Sequence, residues 1–140
     1  MNIPILTEHS TKQNTENPDV MTSTIMRLVL DKCATVNEAV ELFKSVDIND
    51  ETFDLGSDSI PGSCYHYLIA DAEGNSVVVE FDYTDSFKEI IIQKPENKSY
   101  QICTNHYLAD KFKGEGDPIG KSWERFAMAE EALSGKSVTE

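Results

Sequence analysis

A chain of 140 residues is long enough for one domain with a real core, since about 68–70% of the unfolded surface can be buried at this size. Its 25 acidic and 12 basic residues leave a net charge of −13, which argues against nucleic acid and anionic membrane as partners because no basic stripe can neutralise phosphates. No apolar run is long enough to span a bilayer, no signal segment opens the chain, and the three cysteines Cys33, Cys64 and Cys103 form neither a C-x-x-C nor a closed disulfide framework, so a reducing, cytoplasmic setting is expected.

Met1 to Leu6 reads as a short apolar strand, followed by a polar surface loop from His9 to Pro18. Thr22 to Ala34 carries Ile25, Leu28, Val29 and Leu30 at helical spacing. Thr35-Val36-Asn37-Glu38 is a capping box, in which the Thr hydroxyl takes an early backbone N–H and the Glu reaches back to the cap. The helix it starts places Val36, Ala39, Val40 and Phe43 on one face. Asp47 to Ser63 reads as an acidic, solvated loop, without the ligand spacing of a calcium loop. Tyr65 to Ala70 and Ser76 to Phe81 flank Asp71-Ala72-Glu73-Gly74-Asn75, a hairpin whose Gly supplies positive φ. Val77-Val78-Val79 is continuously apolar, so that strand is expected to be covered on both faces. Phe87 to Gln93 predicts a third strand, Pro95 to Lys98 a turn, and Tyr100 to Thr104 a fourth strand ending at Asn105. A charged loop from Asp110 to Asp117 leads into a helix that starts at Asp117-Pro118, carries Trp123, Phe126, Ala127 and Leu133 on its apolar side, and stops near Gly135. The order predicts an α+β fold, an antiparallel sheet with packed helices.

Asn105 is the first candidate for chemistry. Its side-chain N–H can donate to an oxygen that becomes negative during acyl transfer, although the local sequence by itself favours an ordinary turn residue. Arg125, between Trp123 and Phe126, needs either a partner or a water-facing guanidinium. Cys103 and His106 form a thiol–imidazole pair only if the strand brings them together, and residues i and i+3 of a strand face opposite ways. A metal site from Cys64, His66, Cys103 and His106 matches no common zinc spacing. Among the hairpin acids Asp71, Glu80 and Asp82, Asp71 is expected to order the turn.

Four segments in order carry a resemblance: Val36-Asn37-Glu38-Ala39-Val40-Glu41-Leu42, the stretch from His66 to Glu80, Thr104-Asn105-His106, and Ser122-x-x-Arg125-Phe126. Together they resemble the linear amide C–N hydrolases, which include the choloylglycine hydrolases, the penicillin V acylases and the acyl-coenzyme A:6-aminopenicillanate acyltransferase-like peptidases. The similarity runs from about Met1 to Leu133. The resemblance implies an αββα N-terminal-nucleophile sandwich, with an N-terminal Cys thiol as nucleophile and its own α-amino group as base. It implies Asn105 as oxyanion donor and Arg125 as active-site cation. His106 after Asn105 looks more like the acyltransferase-like branch than the bile salt hydrolases.

None of the three cysteines stands in the nucleophile's context. Residues 1–140 are therefore expected to form a partial domain, lacking the nucleophile segment and the final strands, and to be inactive alone. The expected substrate of the complete enzyme is a small-molecule amide, with no cofactor and no metal; the missing segment is the expected partner, and a homo-oligomer stays open. The alternative is a non-catalytic binding or assembly module that keeps part of this fold.

Overall fold

The computed structural model describes residues 5–6, 11–49, 53–54, 59–60, 64–95, 99–112 and 121–134. Of the expected turn from Pro95 to Lys98, residues 96–98 lie outside these residues, as do the helix start at Asp117-Pro118 and the stop at Gly135.

Strand β1 (Ile5–Leu6) pairs antiparallel with β6 (Cys64–Tyr65). Strand β2 (Asp19–Met21) leads directly into helix α1 (Thr22–Lys32). The helix stops two residues before the expected Ala34, because Ala34 N–H donates to Glu38 Oε2 at 2.7 Å rather than back along α1. Ile25 and Val29 are buried and Leu28 half-buried, whereas Leu30 is 65% exposed. Helix α2 (Val36–Lys44) begins with the predicted capping box: Glu38 N–H donates to Thr35 Oγ1 at 3.2 Å and Thr35 N–H to Glu38 Oε2 at 3.1 Å. Those contacts satisfy donors that a helix start leaves without intrahelical partners, and the Ala34 N–H, followed by that of Thr35, holds the Glu38 carboxyl below its ordinary range.

The solvated loop expected from Asp47 is overturned at its start. Strand β3 (Asp47–Asn49) pairs in parallel with β2, and β4 (Phe53–Asp54) pairs with β5 (Ser59–Ile60). Asp47 is buried and accepts Thr15 N–H at 2.6 Å together with the Thr15 hydroxyl. A carboxylate with two such donors can leave water without stranding its charge.

The main sheet runs β7 (Tyr67–Ala70), β8 (Ser76–Phe81), β9 (Ile90–Gln93), antiparallel throughout. Its first turn is the predicted one. Asp71 Oδ1 accepts the N–H of Glu73 and of Asn75, and Gly74 sits at φ +85°. Asp71 Oδ2 also accepts Val36 N–H at 3.1 Å, tying the hairpin to the start of α2.

Alternation divides the sheet into two working faces. Tyr67, Ile69, Val77, Val79 and Phe81 pack against α1 and α2, with Phe43 and Tyr67 rings 4.9 Å apart. Val78 and Glu80 point the other way and are both fully buried, as expected for a strand covered on both sides.

The fourth strand expected from Tyr100 to Thr104 does not form. The segment is irregular, and its contacts come from side chains: Gln101 Nε2 donates to Gln93 O at 2.8 Å, and Thr104 O lies 2.5 Å from His66 Nε2. This segment and helix α3 (Ser122–Ser134) meet on the Glu80 side of the sheet. The observed class is α+β, with three helices and an antiparallel sheet among the described residues.

Candidate active site

Asn105 sits at a bend after the irregular segment, not at a strand end. The bend is fastened from both directions. Ser122, the first residue of α3, is fully buried with its side chain turned away from solvent. Its Oγ accepts Asn105 N–H at 2.7 Å, donates to Thr104 Oγ1 at 2.9 Å and lies 2.9 Å from His106 Nδ1. Thr104 Oγ1 in turn donates to the Ser122 carbonyl at 3.3 Å. His106 stacks on Trp123 with ring centroids 3.6 Å apart. Burial, together with the like charges of His66 and Arg125, pulls the His106 imidazole down to about 4. It is therefore neutral at pH 7.

Arg125 lies one helical turn beyond Ser122, and residues i and i+3 share a helix face. Its Nη2 donates to Asn105 Oδ1 at 2.6 Å. The pair is open to solvent, while the Ser122–Thr104–His106 cluster behind it is buried or half-buried. Arg offers only donors. It therefore engages the oxygen end of the Asn105 amide, and the opposite end is Nδ2, with its two N–H groups. The two candidates named from the sequence are thus brought together, and the Arg125 head finds a polar partner while staying at the surface.

The other groupings are not formed. Cys103 Sγ lies 3.2 Å from His66 Nε2, whereas His106 turns to Ser122. An imidazole whose Nε2 is 2.5 Å from the Thr104 carbonyl points its proton at that oxygen and is not placed to deprotonate a thiol. Burial, then the Glu80 charge, pushes the Cys103 thiol well above its ordinary value, which marks it as inert. The suggested metal quartet is dispersed, with Cys64 beside the Tyr107 hydroxyl at 3.5 Å and His66 beside Glu80 at 3.1 Å. Asp82, Asp85 and Glu89 are the group with metal-compatible spacing among the described residues. Asp82 and Asp85 spend their oxygens on the turn between β8 and β9, accepting from Thr84, Lys88 and Glu89 N–H, and Lys111 pairs with Asp82.

The sequence offered His66 only within a metal quartet, Glu80 only among the hairpin acids and Ser122 only within the Ser122-x-x-Arg125-Phe126 pattern, and gave none of them a part in holding this bend. Two signals were present. Glu80 is a charged residue between Val79 and Phe81 in a strand that is otherwise apolar after Ser76, and Ser122 is spaced one turn from Arg125.

The fold and site define an α+β chain that presents a side-chain amide, oriented by a cation, on a solvent-accessible bend; such a group suits an oxygen that gains negative charge. A family model for acyl-coenzyme A:6-aminopenicillanic acid acyl-transferase matches residues 6–140, and the chain belongs to that family, within the N-terminal-nucleophile, choloylglycine hydrolase-like superfamily. No curated protein sequence matches the chain. Family membership associates it with acyl transfer and amide hydrolysis. No helix among the described residues is long and apolar enough to cross a membrane.

Proposed function

We propose that this chain supplies the oxyanion-binding part of a cysteine N-terminal-nucleophile enzyme that cleaves or transfers acyl groups at linear amide C–N bonds. In this reading the fold is part of an αββα sandwich. The nucleophilic Cys comes from a segment outside these 140 residues. Its thiolate attacks the amide carbonyl carbon, its α-amino group takes the thiol proton and passes it to the leaving amine, and a thioester remains. Water or a second amine then accepts the acyl group. While the carbonyl oxygen is negative, Asn105 Nδ2 donates to it. One such donor is worth about 2.7–4 kcal/mol in a comparable case. Arg125 fixes which end of the amide faces the substrate and adds a positive field that favours the thiolate.

The observation that carries this reading is the 2.6 Å contact from Arg125 Nη2 to Asn105 Oδ1. The role for an outside nucleophile rests on chemistry: an N-terminal nucleophile needs a free α-amino group on the same residue, and Cys103 is a half-buried, undissociated thiol within the chain.

The test compares two proteins against a panel of N-acyl amino acids and penicillin V. One is the 140-residue chain; the other extends it through the upstream reading frame to a Cys-initiated segment. The expected result is no turnover by the first and turnover by the second, with Asn105→Ala lowering kcat by about 10²–10³. Turnover by the 140-residue chain alone refutes the outside nucleophile. Full activity of the extended Asn105→Ala protein removes Asn105 from the site. No turnover by either, with cooperative unfolding as a monomer, favours the binding or assembly module.

A further inference from the structure

The bend that carries Asn105 is also held from the sheet side, by a buried pair that the chemistry above does not use. His66 and Glu80 are both 0% exposed. Each Glu80 oxygen accepts a backbone N–H, Oε1 from Leu108 at 2.7 Å and Oε2 from Ala109 at 2.9 Å. His66 Nδ1 lies 3.1 Å from Glu80 Oε1, and His66 Nε2 lies 2.5 Å from the Thr104 carbonyl oxygen. A carbonyl oxygen can only accept, so Nε2 carries a proton. The line from Nδ1 to Oε1 needs a proton as well, because two lone pairs would otherwise oppose each other in a site closed to water. The pair therefore holds two protons. Both Glu80 oxygens already accept a backbone N–H, so neither is placed to carry the second proton, and it is assigned to Nδ1.

We propose that His66 is a buried imidazolium paired with the Glu80 carboxylate, and that the two act as a positioning unit clamping the Asn105 bend at Thr104 on one side and at Leu108 and Ala109 on the other. The groups facing the pair are consistent with this state. Cys103, 3.2 Å from Nε2, stays a neutral thiol and does not take the proton. His106, in the bend itself, is held neutral chiefly by its burial and does not take the proton. Tyr107 is kept protonated by burial and by the neighbouring Cys64, with Glu80 adding to the effect.

The proposal depends on the oxyanion reading only for its effect on turnover, so its test uses no turnover. In the ¹⁵N-labelled 140-residue chain at neutral pH, long-range correlations from the ring carbon protons report the protonation of both His66 nitrogens. Both are expected to be protonated; a bare nitrogen on either side of the ring overturns the imidazolium. The second arm is Glu80→Gln, which keeps the volume but removes one acceptor oxygen. Amide exchange at Leu108 or Ala109, whichever N–H loses its acceptor, is then expected to quicken by roughly 10- to 100-fold, the range for losing a hydrogen bond to a charged group, while Val77 to Val79 keep their protection. Unchanged exchange at Leu108 and Ala109 overturns the clamp. Should Glu80→Gln fail to fold, the ring measurement on the unaltered chain still decides. Failure of the amidase assay leaves both readouts intact, and failure here leaves the Asn105–Arg125 contact in place.

Discussion

Replacing Ser122 by Ala removes one oxygen from the centre of the bend. That oxygen accepts Asn105 N–H at 2.7 Å and meets both Thr104 Oγ1 and His106 Nδ1 at 2.9 Å. Ser122 is 0% exposed, so water is poorly placed to take over. A buried amide left without a partner costs about 1–3 kcal/mol. Unfolding entropy is about 2.1 cal/mol/K per residue, or about 0.3 kcal/mol/K for a chain of this length, so the melting temperature should fall by about 3–10 °C. Scanning calorimetry measures the total, and amide exchange locates it: Asn105 and His106 should lose protection while the β7–β8 hairpin keeps it. In the extended, active protein kcat should fall with little change in KM, because the Asn105 amide moves without any loss of ground-state contact. A melting temperature within 1 °C of the unaltered chain (about 0.3 kcal/mol), with Asn105 exchange unchanged, would show that Ser122 does not hold the bend.

Arg125→Lys keeps the charge but loses the planar fork that orients Asn105; kcat of the extended protein should drop about 10- to 100-fold, and a fully active variant would discard Arg125 as the orienting group. Phe43→Ala empties a fully buried site against Tyr67 and Phe81, so stability should fall by about 3–5 kcal/mol; a loss under 1 kcal/mol in urea melts, well short of that range, would contradict the packing. His106 is neutral in the folded chain down to about pH 4 but takes a proton near its ordinary 6.5 when unfolded. Its contribution to stability is therefore complete above about pH 6.5 and lost as the pH falls towards 4. Fluorescence of Trp123, stacked on His106, should stay level from pH 8 to 6 and change near pH 4; a midpoint at the ordinary histidine value would mean the ring is not buried as described.

The parts that were legible in the sequence are those whose partners lie a few residues away. Thr35 and Glu38 cap α2 from three residues apart, Asp71 gathers the N–H groups of its own turn, and the unbroken Val77-Val78-Val79 run announces a strand buried on both faces. The segment from Tyr100 to Thr104 has the composition of a strand, yet it forms no ladder. Its contacts are with side chains from elsewhere: His66 is 38 residues from Thr104, and Ser122 is 17 from Asn105. Likewise β2 and β3, each only three residues long, carry no periodic signal for their parallel pairing. The resemblance singled out Asn105 and Arg125 one at a time, each with a plain alternative in its own neighbourhood. Their contact spans 20 residues and exists because α3 lays its first turn against the bend. Short-range chemistry thus set the caps, the hairpin and the apolar faces, whereas the orientation of the Asn105 amide needed the fold, since the donors and acceptors that fix it are far apart along the chain and meet only once the sheet is covered.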